Sequence, residues 1–337
     1  MTECRITGCK YISESQKLGL CRGHLSRWYK GLRGAELESP LQGRKPVPEA
    51  RDDEPDNAYA TEWDRFSAWI GIRENRLADT PARPTDNLIV HGVISDLHMP
   101  FHCLDAIMEA VDWLVLQGVS ELWLGGDVVD HYGLSRFSQY ESVPIQHEAI
   151  ECRKIIDMLS LKFALVHIIS GNHEARERKY LASRLPADLL QWFLDRSFIE
   201  RITEDMENVR VERRVVENTA LHWITPVGKD AIIAHAETAS KITLRAVENV
   251  RQWIDGWHGV LDLARPRVIF QAHTHNAGVA RVGPQLVCEL GCTCKIQSYA
   301  LEPRLYPKPQ CKAATVFTQI DGVTDLNSVR QYYLGLA

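Results

Sequence analysis

Short apolar segments and longer amphipathic segments alternate through the first half of the chain after residue 87. Apolar segments of strand length occur at LIVHGVIS, SELWLGG and ALVHIIS, and segments with helical periodicity occur near 103–117, 144–161 and 174–195. Strands that alternate with helices are typical of βαβ units. The pattern therefore predicts a largely parallel sheet in this part of the chain.

The second half is richer in strand-like segments. VRVERRVV, ALHWIT, AIIAHA, RVIFQAH, NAGVARV, QLVCEL and ATVFTQI have strand length, and a helix is predicted near 240–253. Because few helices separate these strands, we expect mixed pairing and a second sheet that packs on the first. The predicted fold class is α/β.

The N-terminal region differs from the rest in composition. Residues 34–61 are rich in proline and charge and have neither helical nor strand period, which predicts a linker. The linker separates a basic head, residues 1–33, with seven basic and two acidic side chains, from a body, residues 62–337. Because the whole chain has a net charge of −5, the body is acidic. A helix near Trp63 is expected to pack on the body.

Length and composition exclude several classes of protein. The chain has 337 residues, 45% of them hydrophobic and 25% charged, which is typical of globular proteins and argues against disorder. No apolar segment approaches the roughly 20 residues of a membrane span, and no signal peptide is apparent. Nine cysteines without an export signal indicate reduced thiols or metal ligands. We therefore expect a cytoplasmic protein that does not associate with membranes.

Nearly every apolar segment of the body ends in a loop that carries Asp, Asn or His. The loops contain ISDLH, LGGDVVDH, ISGNHE, IAHAE and QAHTHN. Their donor residues, in chain order, are Asp96, His98, Asp127, Asp130, Asn172, His173, His235, His273 and His275. Because active sites form at the carboxyl ends of strands, we expect these side chains to meet. Carboxylate, imidazole and amide donors suit Mn²⁺, Fe²⁺, Co²⁺, Ni²⁺ or Zn²⁺ better than Ca²⁺ or Mg²⁺.

The number of donors exceeds what one ion needs. Two ions about 3.5–4 Å apart need several terminal ligands and one shared carboxylate, for which Asp127 is the natural candidate. Such a pair generates a hydroxide at neutral pH, neutralises phosphoryl oxygens and holds an in-line attack. The expected chemistry is phosphoester hydrolysis. His173, beside a predicted ligand, is a candidate general acid.

The ordered set D-x-H, G-D-x-x-D, G-N-H-E, a lone His and H-x-H resembles the calcineurin-like metallophosphoesterases over about 88–320. The resemblance implies a two-sheet α/β sandwich with a dinuclear site, with Mn²⁺ favoured as the metal. It implies one role for each donor: Asp96, His98 and His275 hold the first metal, Asn172, His235 and His273 hold the second, Asp127 bridges them, His173 is the acid and Asp130 orients it.

One departure from this family affects the expected substrate. Phosphoprotein phosphatases of the superfamily have an arginine directly after the second Asp of G-D-x-x-D, and this chain has His131. Arg176 could contact a phosphate, or it could pair with Glu174 or Glu177 on its own helix. Phosphodiester hydrolysis in nucleic acid or nucleotides, as in a nuclease, is the leading hypothesis. The alternatives are a phosphomonoesterase, acting on a nucleotide, a nucleic-acid end or a phosphoprotein, and a binding protein that has lost catalysis.

Cys4, Cys9, Cys21 and His24 have the spacing C-x4-C-x11-C-x2-H in the head. Three thiolates and one imidazole fit one structural Zn²⁺, and a head this short cannot fold on a hydrophobic core alone. The segment resembles small zinc modules of phage-type proteins. Basic and aromatic side chains around Trp28 suit nucleic-acid binding. A protein-docking or purely structural role for the head is the alternative.

Four cysteines lie late in the chain: Cys288, Cys292, Cys294 and Cys311. They could form a second zinc site. Because the first two lie in an apolar segment that runs into a loop, packing is the favoured interpretation.

Overall fold

The computed structural model describes residues 87–135, 142–216, 219–240, 242–260, 264–296 and 310–335. These residues belong to one compact unit of the chain, Asp64–Ala337. The predicted zinc head with Cys4, Cys9, Cys21 and His24, the linker 34–61 and the helix near Trp63 lie outside the described residues. The domain boundaries therefore stay predictions.

Thirteen strands and six α-helices are present in the described residues. The strands are β1 (Leu88–Ile94), β2 (Glu121–Leu124), β3 (Leu165–Ile168), β4 (Val209–Val211), β5 (Arg214–Val216), β6 (Thr219–Leu221), β7 (Ile224–Val227), β8 (Ala231–Ala234), β9 (Val268–Gln271), β10 (Ala277–Val282), β11 (Gln285–Leu290), β12 (Ala313–Ile320) and β13 (Val323–Tyr333). The helices are α1 (Leu104–Leu116), α2 (Ile145–Lys162), α3 (Glu174–Ala182), α4 (Ala187–Phe193), α5 (Phe198–Ile202) and α6 (Arg245–Trp257).

The first sheet has six strands in the order β13-β12-β1-β2-β3-β4. Strands β1 to β4 pair in parallel, as the alternation of strands and helices predicts, whereas β12 and β13 join in antiparallel pairing. Helices α1 and α2 contact β12 and β3, respectively. Because β1 to β4 point the same way, the loops after β1, β2 and β3 leave the sheet at one edge.

The second sheet has five strands in the order β10-β11-β9-β8-β7. Its central strands β8, β9 and β11 are parallel, and β7 and β10 are antiparallel neighbours. The expected mixed second sheet is therefore confirmed. Strands β5 and β6 form a separate two-stranded sheet.

Alternate residues of β9 pack on opposite sides of the second sheet. Phe270 lies between the two sheets, where its ring centroid is 4.8 Å from that of Phe317 of β12, and both side chains are fully buried. Ile269 faces the other way and packs with Val250 and Ile254 of α6. This alternation follows from the two-residue period of a strand. The predicted two-sheet α/β sandwich is confirmed.

Two features of the strands differ from the sequence prediction. The 11-residue edge strand β13 was not expected, because its segment VTDLNSVRQYY has polar residues at most positions and only one fully buried side chain. The segments VRVERRVV and ALHWIT are each divided between two strands. No helix of the described part of the chain is long and apolar enough to cross a membrane.

Candidate metal centre and active site

The predicted site residues lie at the carboxyl ends of strands from both sheets. Asp96 and His98 follow β1, Asp127 follows β2, and His173 begins the loop-to-helix transition after β3. The second sheet contributes the residues that follow β8 and β9, namely His235, His273 and His275. Because the sheets pack face to face, these loops meet at one edge of the sandwich.

The loops bend sharply where they present these side chains. Six of the eight described non-glycine residues with positive φ belong to this edge: Asp96, His98, Asp127, His131, His273 and His275. Non-glycine residues adopt such angles only where surrounding contacts fix them. The backbone N–H groups of Asp96 and His98 donate to the carbonyl oxygens of Gly126 and Asp127, over 3.1 and 2.8 Å, and hold the two loops together.

Asp96, His98 and His275 form a first cluster. Asp96 Oδ1 lies 3.2 Å from His275 Nε2 and 3.9 Å from His98 Nε2, and the two Nε2 atoms are 3.2 Å apart. All three side chains are buried. Asp96 Oδ1 accepts no hydrogen bond from the described residues. A buried carboxylate oxygen left without a hydrogen bond, with two imidazole nitrogens turned towards it, suits a cation.

Asn172, His235 and His273 form a second cluster. Asn172 Oδ1 lies 2.7 Å from His273 Nδ1 and 3.3 Å from His235 Nε2. His235 Nδ1 lies 2.8 Å from the carbonyl oxygen of Gly125 and donates its proton there. That hydrogen bond fixes a proton on Nδ1 and directs Nε2 into the site, where Nε2 could bind a metal ion in place of its own proton.

Asp127 lies between the two clusters. Its Oδ2 atom is 3.2 Å from His235 Nε2, 3.7 Å from His98 Nε2 and 3.8 Å from His173 Nε2. Its Oδ1 atom accepts a hydrogen bond from the backbone N–H of His173, over 2.9 Å. Asp127 belongs both to a donor group with His98 and His173 and to one with His235 and His273. The structure thus brings together every residue predicted for the metal centre.

The buried carboxylates of Asp96 and Asp127 and the imidazoles around them shift one another's pKa. Burial alone would raise the pKa of Asp127, but His173 and His235 outweigh burial and hold that pKa well below its usual range. Burial opposes protonation of the imidazoles, yet Asp127 raises the pKa of His235 to about 10, and Asp96 raises that of His275 to about 10. The two buried carboxylates therefore stabilise positive charge at this position, which is the charge that divalent cations carry.

Glu174, the first residue of α3, fixes the loop that carries Asp127. Its buried carboxylate accepts hydrogen bonds from four backbone N–H groups: those of Asp127, Val128, Val129 and Gly171, over 2.7–3.1 Å. This structural role of Glu174 was not predicted from the sequence. The only available signal was its place in G-N-H-E, because its four partners lie in two separate loops.

The contacts of Arg176 exclude the pairing with Glu174 or Glu177 that the sequence left open. Its guanidinium contacts neither Glu174 nor Glu177: Nη1 donates to Asp130 O and Oδ1 over 2.8 and 3.2 Å. Nη2 lies 2.9 Å from His173 Nε2. Since a guanidinium only donates, His173 Nε2 accepts, and the imidazole proton lies on Nδ1, 2.9 Å from the carbonyl oxygen of Asp130. Asp130 therefore contacts His173, as expected.

The late cysteines do not gather into a metal site within the described residues. Cys288, Cys292 and Cys294 are buried and Cys311 is half-buried, which agrees with packing. Cys294 has a further contact, since its Sγ lies 3.9 Å from His275 Nδ1 and forms a donor group with His275 and His98. This contact of Cys294 with the candidate metal centre was not predicted from the sequence.

A cavity of about 810 Å³ opens beside the second cluster. Asn172 and His235 line its inner end, and residues of α3, of α4 and of the segment around Trp223 line the rest. A half-open space large enough for a small organic molecule therefore adjoins the candidate centre.

Comparison with known proteins agrees with this geometry. The model of the family described as calcineurin-like phosphoesterase matches residues 91–277. No curated protein matches the chain. Similar solved structures include an archaeal phosphodiesterase (14% identity, 73% of this chain and 100% of that chain, TM-score 0.35) and vacuolar protein sorting 29 from Cryptosporidium parvum (15% identity, 74% and 99%, TM-score 0.37). A hypothetical protein from Pyrococcus horikoshii is also similar (11% identity, 73% and 87%, TM-score 0.40).

The packing of Gly171 against Asp127 gives a testable prediction. A Cβ atom at residue 171 would overlap the Asp127 carboxylate and lie 2.6 Å from the Asp127 backbone nitrogen. We expect Gly171→Ala to displace Asp127 and to lower Mn²⁺ affinity by about 10- to 100-fold, the range found when support of a ligand is lost. Titration with Mn²⁺, followed by the signal of the free ion in electron paramagnetic resonance, measures this.

Gly133→Ala is the matched control, because the nearest atom to a Cβ atom there is a backbone oxygen 3.5 Å away. Circular dichroism confirms the fold of both variants. Unchanged Mn²⁺ affinity in a folded Gly171→Ala protein would remove Asp127 from the metal centre.

Proposed function

We propose that this chain, which belongs to the calcineurin-like phosphoesterase family, hydrolyses phosphodiester bonds in nucleic acid or nucleotides at a dinuclear metal centre. The observation that carries this proposal is the position of Asp127. Its carboxylate lies within 3.2–3.8 Å of imidazole nitrogens from both sides of the site. One shared carboxylate between two groups of donors is what a two-metal site requires.

The donors on each side fit the metals that the resemblance implies. Asp96, His98 and His275 would hold one ion, Asn172, His235 and His273 the other, and Asp127 both. Imidazole and carboxylate donors suit Mn²⁺, with Fe, Co, Ni or Zn as alternatives. Two such ions supply Lewis-acid neutralisation of phosphoryl oxygens and an activated water.

His173 and Arg176 are the groups placed to act on the ester. For His173 to protonate a leaving oxygen, its Nε2 atom must hold a proton, and Arg176 Nη2 now occupies the space 2.9 Å away. Substrate binding would therefore move Arg176 from His173 onto a phosphoryl oxygen. Asp130 contacts both residues. Its Oδ2 is 3.3 Å from His173 Nδ1, and its Oδ1 accepts a hydrogen bond from Arg176 Nη1.

A phosphomonoesterase is the second candidate, and Arg176 is the observation that favours it. His131, which takes the place of the expected arginine, is buried, and burial lowers its pKa to about 4, so it carries no charge at neutral pH. Arg176 instead brings a permanent positive charge to Asp130 and His173. Such a charge attracts a phosphomonoester dianion more strongly than a singly charged diester.

Substrate comparison separates the two candidates. We expect the Mn²⁺-loaded protein to cleave single-stranded DNA, double-stranded DNA or RNA, and to hydrolyse bis-p-nitrophenyl phosphate faster than p-nitrophenyl phosphate. Asp127→Asn should abolish these activities, because a neutral amide with one oxygen donor would replace the charged carboxylate that both metals would share. The control is Asp157→Asn, a change of the same chemistry at an exposed position of α2. Preference for the monoester would support the phosphomonoesterase, and no hydrolysis with any metal would favour a binding protein.

The general acid is tested separately. We expect His173→Ala to retain both metals and to lower kcat by about 100-fold or more, the usual contribution of a general acid. The loss should be smaller with a p-nitrophenolate leaving group, which needs no proton, than with an alkoxide leaving group. Equal losses on both substrates would show that His173 has another role.

We also propose that the head binds one Zn²⁺ through Cys4, Cys9, Cys21 and His24 and brings the protein to nucleic acid. The basic and aromatic residues of the head support this proposal, and docking of a protein partner is its alternative. The double variant Cys9→Ser/Cys21→Ser should lose one Zn²⁺ per chain and bind single-stranded DNA more weakly at low salt. Hydrolysis of bis-p-nitrophenyl phosphate should not change. Retained Zn²⁺ would contradict the ligand set, and unchanged DNA binding would favour the docking role.

A further inference from the structure

The cavity beside the second cluster continues directly from the candidate metal centre. Asn172 and His235 line its inner end, so a phosphate held between the clusters would direct one of its ester groups into the cavity. Its volume of about 810 Å³ lies within the range of small-molecule binding sites. A space of this volume is large enough for one nucleotide unit.

One wall of the cavity is apolar and aromatic. Leu190 and Leu194 line it from α4 and its C-terminal end, and Trp223 lines it from the loop before β7. The Trp223 ring packs on Trp253 of α6, with centroids 5.2 Å apart, so part of the ring is buried against the second sheet and the rest faces the cavity. A rigid, half-buried indole is the type of surface on which unpaired bases stack.

The acidic groups that line the cavity already have partners. Glu177 pairs with Arg201 over 3.2 Å, Glu237 pairs with Lys179 over 3.0 Å, and Glu174 accepts from backbone N–H groups. Among the arginines of the lining, Arg196 pairs with Glu204 and Arg213 with Glu200.

Arg178 is the exception in this lining. Its exposed guanidinium makes no ion pair or hydrogen bond with other described residues. It lies near His222, whose pKa is lowered by burial first, then by the charge of Arg213 and last by that of Arg178. The cavity therefore combines an apolar, aromatic wall with one cation that is available to an anion.

We propose that this cavity binds the nucleoside part of the substrate, with the base against Trp223 and the leucines, and with a second phosphate of a nucleotide chain at Arg178. This inference rests on the proposed function, because it assumes that the reacting phosphate binds between the two clusters. It restricts the substrate class to nucleotides and single-stranded nucleic acid, because a paired base in a duplex offers no free face to an indole.

Equilibrium binding to the Mn²⁺-loaded protein tests this without turnover. The probes are thymidine 5′-O-thiophosphate and the same deoxyribose thiophosphate without a base. We expect the thymidine compound to bind about tenfold more tightly or better, the range of one base stacked on an aromatic side chain. Equal affinities would overturn the proposal. Phenyl thiophosphate is the third probe: if it bound as tightly as the thymidine compound, the cavity would be a general aryl pocket.

Two variants locate the effect in the cavity. Ala187→Trp fills the space from an exposed position at the start of α4 and should remove the higher affinity of the compound that carries a base. Ala182→Trp, exposed at the end of α3 and outside the lining, is its control and should not.

Arg178→Ala should remove the extra affinity of a 5′-thiophosphorylated dinucleotide over the mononucleotide. Arg184→Ala, an exposed arginine beyond the lining, is its control. An unchanged base preference in Ala187→Trp would place the base elsewhere.

The outcomes distinguish this inference from the proposed function. If the protein hydrolyses bis-p-nitrophenyl phosphate but shows no base preference, the cavity assignment is wrong and the phosphoesterase assignment stands. If the base preference is present but no substrate is hydrolysed, the cavity binds nucleotides in a protein without the proposed activity.

Discussion

A buried carboxylate at Asp127 is the constraint on which the rest of the site depends. An ionised group is unfavourable in the interior unless opposite charge and hydrogen bonds surround it. Here the imidazoles of His98, His173 and His235 lie within 3.8 Å of Oδ2, and a backbone N–H of the neighbouring loop donates to Oδ1. These groups come from three different strand ends, because His98 follows β1, His173 supplies both an imidazole and the backbone N–H after β3, and His235 follows β8. The loops must therefore approach each other closely for the carboxylate to be tolerated, and the same approach assembles both clusters of candidate metal donors.

The sandwich makes this approach possible by rigid packing behind the site. Phe270 and Phe317 join the two sheets in a fully buried core, and Phe270 precedes His273 by only three residues. The strand ends are thus fixed before the loops begin, and the positive φ angles of Asp96, Asp127 and His273 are maintained by contacts rather than by local preference. Glu174 completes the arrangement, since one side chain satisfies four N–H groups from two loops that would otherwise lack partners.

Most of this edge could be predicted from the sequence because the chemistry is local to each strand end. An apolar segment followed by Asp or His predicts both the strand and the donor, so the residues of both clusters were identified. Contacts between separate loops were not: Arg176 with Asp130, Cys294 with His275, and the Glu174 carboxylate with the backbone of residues 127–129. Strand β13 was missed for a related reason, because an edge strand gains its hydrogen bonds from a neighbour and needs few apolar residues.

The two sides of the centre differ in access, and this difference determines where specificity can arise. Asp96, His98 and His275 are almost completely enclosed, at 0%, 1% and 5% exposure. In the second cluster His235 is equally buried, at 1% exposure, but Asn172 and His273 are only partly buried, and Asn172 lines the cavity. If the cavity binds part of the substrate, as we propose, the substrate would approach over the second cluster. Discrimination between substrates would then depend on α3, α4 and the segment around Trp223 rather than on the enclosed first cluster.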